Sequence, residues 1–213
     1  MGRQITKTLE KLYPYLGTEG WFISGSYANP KVASYNDIDI FFRTKEYFDQ
    51  AVEKTRKMGI NICHTRCSIS IHNIIPGIKV QYIHLRFGTP DEIFSTVDIN
   101  VCRQGILPDG TCIQNPESKD SLRILVPSAQ SFSRLRKYCK KYLLNNTQQT
   151  RILKRCIDDY ISNDTFVHDY YNGVLVTRPL YHVLYDDFDK HGSREVVKYL
   201  TKQAHKYAPE LLL

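Results

Sequence analysis

The chain has 213 residues, 42% of them hydrophobic and 24% charged, with a formal net charge of +7. That composition excludes collagen-like, low-complexity and disordered classes, and no apolar run reaches the ~20 residues of a membrane-spanning helix. Six cysteines stand singly and the N-terminus lacks the long apolar core of a secretory signal, so a reduced, cytoplasmic setting with no membrane partner is expected.

Taken in chain order, residues 4–13 carry Ile5, Leu9 and Leu12 at helical spacing, with Pro14 near the end of that helix. "GWFIS" reads as a buried strand closed by a turn at Gly25 and Ser26. A loop punctuated by Asn29-Pro30 leads to the strand "DIDIFF". Residues 44–58 are helical, with Phe48, Ala51, Val52 and Thr55 on one side and Gly59 at the stop. The strands "INICHT", "SISIHNI" and "KVQYIHLRF" follow. "TPDEIFSTV" opens a short helix, with Thr89 as N-cap, Pro90 at the first position and Glu92 completing a capping box. "VDINVCRQGIL" returns to strand and "LPDGT" marks a turn. From Pro127 onward the pattern is helical, in "SFSRLRKYCKKYLLNN", "QQTRILKRCIDDYISND" and "SREVVKYLTKQAHKYA". The expected fold class is α+β: a mixed β-sheet with flanking helices over residues 1–126, then a small helical domain over 127–213.

The positive charge is local. Residues 131–160 hold eight Lys or Arg against two Asp, whereas residues 1–130 are nearly balanced, fifteen against thirteen. Such a run is either a solvated helix face or a surface that attracts phosphate. Arg136 or Lys137 with Lys140 can face one ligand at helical spacing, and Tyr138 and Tyr142 beside them either pack the helix or stack a base.

Asp37 and Asp39 are the informative pair. Strand alternation points both carboxylates to one face, about 7 Å apart along the strand, while Ile38 and Ile40 point to the other. Two neighbouring anions in a partly buried place repel unless a cation offsets them, and hard oxygen donors favour Mg²⁺ or Mn²⁺. The turn at Gly25 permits close backbone approach, and Ser26 can offer an N–H and a hydroxyl to phosphate.

The stretch "FISGSYANPKVASYNDIDIFF" resembles the Gly-Ser and Asp-x-Asp signature of the polymerase-β-like nucleotidyltransferase superfamily. "RFGTPDEIFSTVDINVC" with "RLRKYCKKY" also looks like small phage or prophage members of that group. The chain departs from CCA-adding enzymes of the Gly-Gly and Arg-Asp type, having Ser26 and no following Arg-Asp. The resemblance implies that Gly25 and Ser26 contact the triphosphate of a nucleoside triphosphate such as ATP. It implies that Asp37 and Asp39 bind metal, and that Arg136, Lys137 and Lys140 assist on the phosphates. Two metals on three carboxylates are implied, and Asp98, a lone acid in an apolar strand pattern, is the chosen third ligand. The rival slot, on "KVQYIHL", holds Gln81. The implied reaction moves a nucleoside monophosphate to an acceptor hydroxyl with loss of pyrophosphate, the acceptor being an RNA 3′ end met by the basic helices of residues 131–160. A protein or small-molecule acceptor, or a non-catalytic nucleotide- or RNA-binding module, are the alternatives.

Three other clusters carry weaker chemistry. Cys63, His64, Cys67 and His72 are zinc-ligand types without a second Cys pair. "YDDFDKH" at 185–191 reads as a solvated loop between helices. His168 and Asp169 are adjacent in sequence and do not make a dyad.

Overall fold

A computed structural model describes residues 2–32, 34–119, 121–128, 130–160, 166–171, 174–191 and 194–207. The chain divides into two units, Met1–Val97 with Val101–Asp120, and Asp98–Asn100 with Ser121–Leu213.

The first unit runs α1 (Gly2–Leu16), β1 (Trp21–Ser24), β2 (Asp37–Phe42), α2 (Lys45–Lys57), β3 (Ile62–His64), β4 (Ser68–Ile75), β5 (Ile78–Ile83), α3 (Pro90–Ser95), β6 (Gln104–Ile106) and β7 (Cys112–Gln114). These strands form one mixed sheet in the order β3-β4-β5-β2-β1-β6-β7. Only the β2–β5 pair is parallel; the other neighbours are antiparallel.

Register explains which face is which. Ile69, Tyr82, Ile40, Ile23 and Ile106 align across five strands, each at most 2% exposed. Leu9, Leu12 and Leu16 of α1 and Phe48, Ala51 and Val52 of α2 join the same core. Each fully buried Leu, Ile, Val or Phe side chain of this set stabilises the fold by about 1.5–3 kcal/mol. A one-residue slip of β2 would put Asp37 and Asp39 into this core, so the apolar row fixes the register that presents the acids on the opposite face. Within the core the Thr55 hydroxyl donates to the Ala51 carbonyl at 2.8 Å and lies 3.1 Å from the Tyr82 hydroxyl. Burial raises the Tyr82 phenol above its ordinary pKa.

The capping box of α3 forms as the sequence predicts. Glu92 N–H donates to Thr89 Oγ1 at 3.4 Å, and the Thr89 N–H donates to the Glu92 carboxylate at 2.7 Å. That backbone bond, with the Thr89 hydroxyl, holds the Glu92 carboxyl below its usual range.

The second unit contains α4 (Ser131–Lys141), α5 (Asn146–Tyr160), β8 (Phe166–Tyr171), β9 (Val174–Pro179), α6 (Leu180–His191) and α7 (Arg194–Tyr207). Three local expectations change here. The region is not helical throughout, because β8 and β9 pair antiparallel, Tyr171 opposite Val174. Residues 185–191 are the C-terminal part of α6 and not a loop: Leu180, Val183 and Leu184 are buried at helical spacing, and Arg178 pairs with Asp186 at 2.6 Å. Lastly, the stretch around Asp98 is no continuous strand. Ile99 makes one antiparallel bridge to Ile124, and a 3₁₀ turn begins at Asn100. The Asn100 amide donates to the Ser121 carbonyl at 3.1 Å and its oxygen accepts from Arg123 N–H at 2.9 Å. Side chains that bond to backbone in this way offer the chain an alternative to a ladder. Among the described residues no helix is long and apolar enough to cross a membrane.

Candidate functional site

The site candidate is the polar face of the first unit's sheet. Opposite the apolar row, Ser70, Gln81, Asp39, Ser24 and Gly105 align across β4, β5, β2, β1 and β6. Asp37 stands one pleat away on the same face, opposite Lys79. Its carboxylate is 22% exposed, with the Lys79 ammonium 3.9 Å away.

Gln81 ties the two acids together. With its amide nitrogen toward the carboxylates, it donates to Asp37 Oδ2 at 3.1 Å and to Asp39 Oδ1 at 3.2 Å, while its oxygen accepts from the Ser68 hydroxyl at 3.3 Å. The reverse orientation would set the amide oxygen against two anionic acceptors, so the hydrogen-bond network assigns this one. Asp37 and Asp39 therefore share one neutral donor from the parallel neighbour strand, in the slot that the sequence marks as the rival third position.

The turn after β1 closes on the same face. Gly25 has φ +79°, and a Cβ there would lie 2.8 Å from Asp39 Oδ2. Only glycine lets the chain turn this close to the carboxylate. Ser24 is buried and spends its hydroxyl on the Gln104 carbonyl at 2.9 Å. Ser26 is 4% exposed, and its carbonyl accepts from Asn29 N–H at 3.3 Å. Beyond it the loop is pinned at two points. The Tyr27 hydroxyl donates to Thr8 Oγ1 of α1 at 2.8 Å, and the Asn29 amide donates to the Val101 carbonyl at 3.1 Å. Sequence reasoning read Asn29 only as punctuation before Pro30 and assigned no role to Tyr27, Ser68 or Lys79. The alternation that placed Asp37 and Asp39 on one face also identifies Ser68, Ser70 and Lys79 as polar positions of the neighbouring strands.

The structure gives Asp98 other company, in the second unit. Its carboxylate is 8% exposed, with Arg134 Nη1 2.8 Å from Oδ1, and the Ser131 hydroxyl donates to Oδ2 at 2.9 Å. Both partners lie on the first turn of α4, so Asp98 anchors that helix start. Arg134 is 44% exposed, which tempers the ion pair. We expect Asp98→Ala to cost about 1–2 kcal/mol, read as a lower denaturation midpoint. Nucleotide binding at the sheet face should be unchanged in that variant.

On α4 the buried stripe is Phe132, Leu135, Tyr138 and Cys139. Arg134, Lys137 and Lys140 are exposed, and Arg136 is half-buried. Tyr138 therefore packs the helix, with the Lys141 ammonium 5.6 Å from its ring centre. Burial raises the Cys139 thiol to about 11, so it is a core residue and not a nucleophile. Cys63 and Cys67 are exposed, and His64 lies 3.4 Å from Arg56. Among the described residues no group of three or more His, Cys, Asp or Glu is arranged to hold a metal ion. The side chains of His168 and Asp169 lie outside what is described.

A family model described as "Gabija anti-defense 2 family protein" matches residues 2–107, which contain the whole polar face apart from its flanking β7 edge. No curated protein matches the chain. Among solved structures, a tRNA-processing enzyme in an apo form is 15% identical, with 92% of this chain and 57% of that one covered at a TM-score of 0.50. A tRNA nucleotidyltransferase in complex with a primer tRNA and an ATP analog is 14% identical, covering 97% and 60%, at 0.46. The CCA-adding enzyme of Thermotoga maritima in complex with tRNA is also 14% identical, covering 95% and 53%, at 0.48. The chain thus spans a little over half the length of these structures. At such identities the likeness concerns the fold alone, a mixed sheet with flanking helices shared with the tRNA-processing enzyme.

Proposed function

We propose that the polar face binds a nucleoside triphosphate and moves its nucleoside monophosphate to an acceptor hydroxyl. The observation that carries this reading is the register-fixed set Asp37, Asp39 and Gln81 with Gly25 folded against Asp39. Asp37 and Asp39 would hold a divalent cation, Mg²⁺ or Mn²⁺, which when bound offsets phosphate charge and polarises the α-phosphorus. The donor set fits such an ion: hard oxygens, aligned on one face, with no Cβ at Gly25 to fill the approach.

The chain's own groups do the rest. Gly25 and Ser26 offer backbone N–H groups to phosphate oxygens at a turn rigidly pinned through Tyr27 and Asn29. Lys79 adds an ammonium beside Asp37. Ser68 fixes the Gln81 amide, and Gln81 keeps both carboxylates aimed along the face. In the reaction the acceptor oxygen bonds to the α-phosphorus as the bond to the bridging oxygen breaks. Pyrophosphate leaves with that electron pair, and the hydroxyl proton passes to water.

For the acceptor, the exposed Arg134, Lys137 and Lys140 of α4 favour an RNA backbone. A second reading, favoured by the similarity to an anti-defense family, keeps the chemistry and makes a protein the acceptor. Incubation with α-labelled nucleoside triphosphates, Mg²⁺ and total RNA tests the choice. Label on RNA supports the first reading, and label on protein moves the acceptor. The charge reversals Lys137→Glu and Lys140→Glu should lower the slope of log affinity for RNA against log salt by about 1.4, at ~0.7 per lost phosphate contact on a single strand.

A further inference from the structure

We infer that this face accepts one divalent cation per bound nucleotide and not a pair, with Gln81 setting the limit. The inference rests on the nucleotide-binding reading above and concerns what that site can hold. Two cations 3.5–4 Å apart repel four times as strongly as two unit charges, and a shared clamp needs anionic oxygens enough to offset them. The face supplies two, Asp37 and Asp39. The third position in register is occupied by a neutral amide, which brings no negative charge and in the metal-free network is assigned with its nitrogen toward the carboxylates.

Two further details keep it so. Presenting the Gln81 oxygen to a metal would turn the nitrogen to the Ser68 and Ser70 hydroxyls, 3.3 and 3.4 Å away, and would break both N–H bonds to the acids. Lys79 places a positive charge 3.9 Å from Asp37 Oδ2, where a second cation would have to share the same oxygen. The formal charge of Asp37, Asp39 and Lys79 together is one negative. A single Mg²⁺ bound through one or two carboxylates and the phosphates matches that set.

The experiment counts metal directly. The full chain is titrated with Mn²⁺ in the presence of an ATP analog carrying a methylene between its α- and β-phosphorus. Bound Mn²⁺ is read by electron paramagnetic resonance, and bound nucleotide is read separately. The wild type should bind one Mn²⁺ per bound analog, and Gln81→Asp should bind two. Two Mn²⁺ per analog in the wild type, or a count that stays at one in a folded Gln81→Asp protein, would overturn the inference. The wild-type count stands whether or not the variant folds. A chain that binds no analog would instead overturn the nucleotide-binding reading on which the inference rests, a result distinguishable from a wrong metal count.

Discussion

The double variant Asp37→Asn/Asp39→Asn should lose nucleotidyl transfer by about 10³-fold or more, equivalent to roughly 4 kcal/mol of transition-state stabilisation, while its melting temperature stays near that of the wild type. The two effects separate because the acids contribute little to the core. Ile38 and Ile40, fully buried on the opposite face, hold β2 in place. Replacing the carboxylates by amides keeps the shape of the face and removes the repulsion between two anions. It also removes the pair of aligned hard anionic donors that the described residues place on the face. Of the single variants, Asp39→Asn should be the more damaging, because Asp39 sits opposite both Ser24 and Gln81 in the register and against the Gly25 turn. Asp37 already has Lys79 beside it. Initial rates of label transfer and thermal melts check both halves.

Gly25→Ala should damage both the stability of the first unit and transfer at its polar face. Two costs add. A side chain at φ +79° is strained by about 1–2 kcal/mol. The new Cβ would also lie 2.8 Å from Asp39 Oδ2, so the carboxylate or the turn must move. A total near 2 kcal/mol should lower the melting temperature by roughly 4–8 °C for a chain of this size. Displacing Asp39 should cut transfer by about 10²-fold, the scale of a 1 Å misplacement at a reacting centre. Gly59→Ala is the control: its φ is +71° and nothing lies within 4 Å of the added carbon. That variant should show the backbone cost alone and keep its transfer rate. Equal activity in the two glycine variants would mean that the Gly25 turn has no part in the site.

Much of the first unit was legible because its signals are local. Alternation in "DIDIFF" assigned the faces of β2, the i, i+3, i+4 pattern assigned the buried side of α2, and the Thr89-Pro90-Glu92 sequence announced α3. The weight of Gln81 was harder to see, because it depends on which strand lies parallel to β2. That pairing is set by a crossover of more than thirty residues through α2 and β4, which no local pattern encodes. The strand expected around Asp98 fails for a related reason. An acid between Val97 and Ile99 looks like a strand position in one dimension, but its partners, Ser131 and Arg134, are more than thirty residues away. The acids of 185–191 looked like a loop by composition, although Leu180, Val183 and Leu184 already carried the helical period just upstream. The β8–β9 hairpin was missed despite "YYNGVLV", in which an Asn-Gly pair stands between β-forming residues, a strong hairpin signal.

Chemistry at the α-phosphorus distinguishes nucleotidyl transfer from phosphoryl transfer on the polar face. Parallel reactions with α-labelled and γ-labelled nucleoside triphosphates, Mg²⁺ and a mixture of RNA and protein acceptors test it most directly. The α-label should become covalently attached to an acceptor, the γ-label should be recovered only as pyrophosphate, and both should disappear in Asp39→Asn. Covalent transfer of the γ-label, or α-label transfer undiminished in Asp39→Asn, would contradict nucleotidyl transfer at this face.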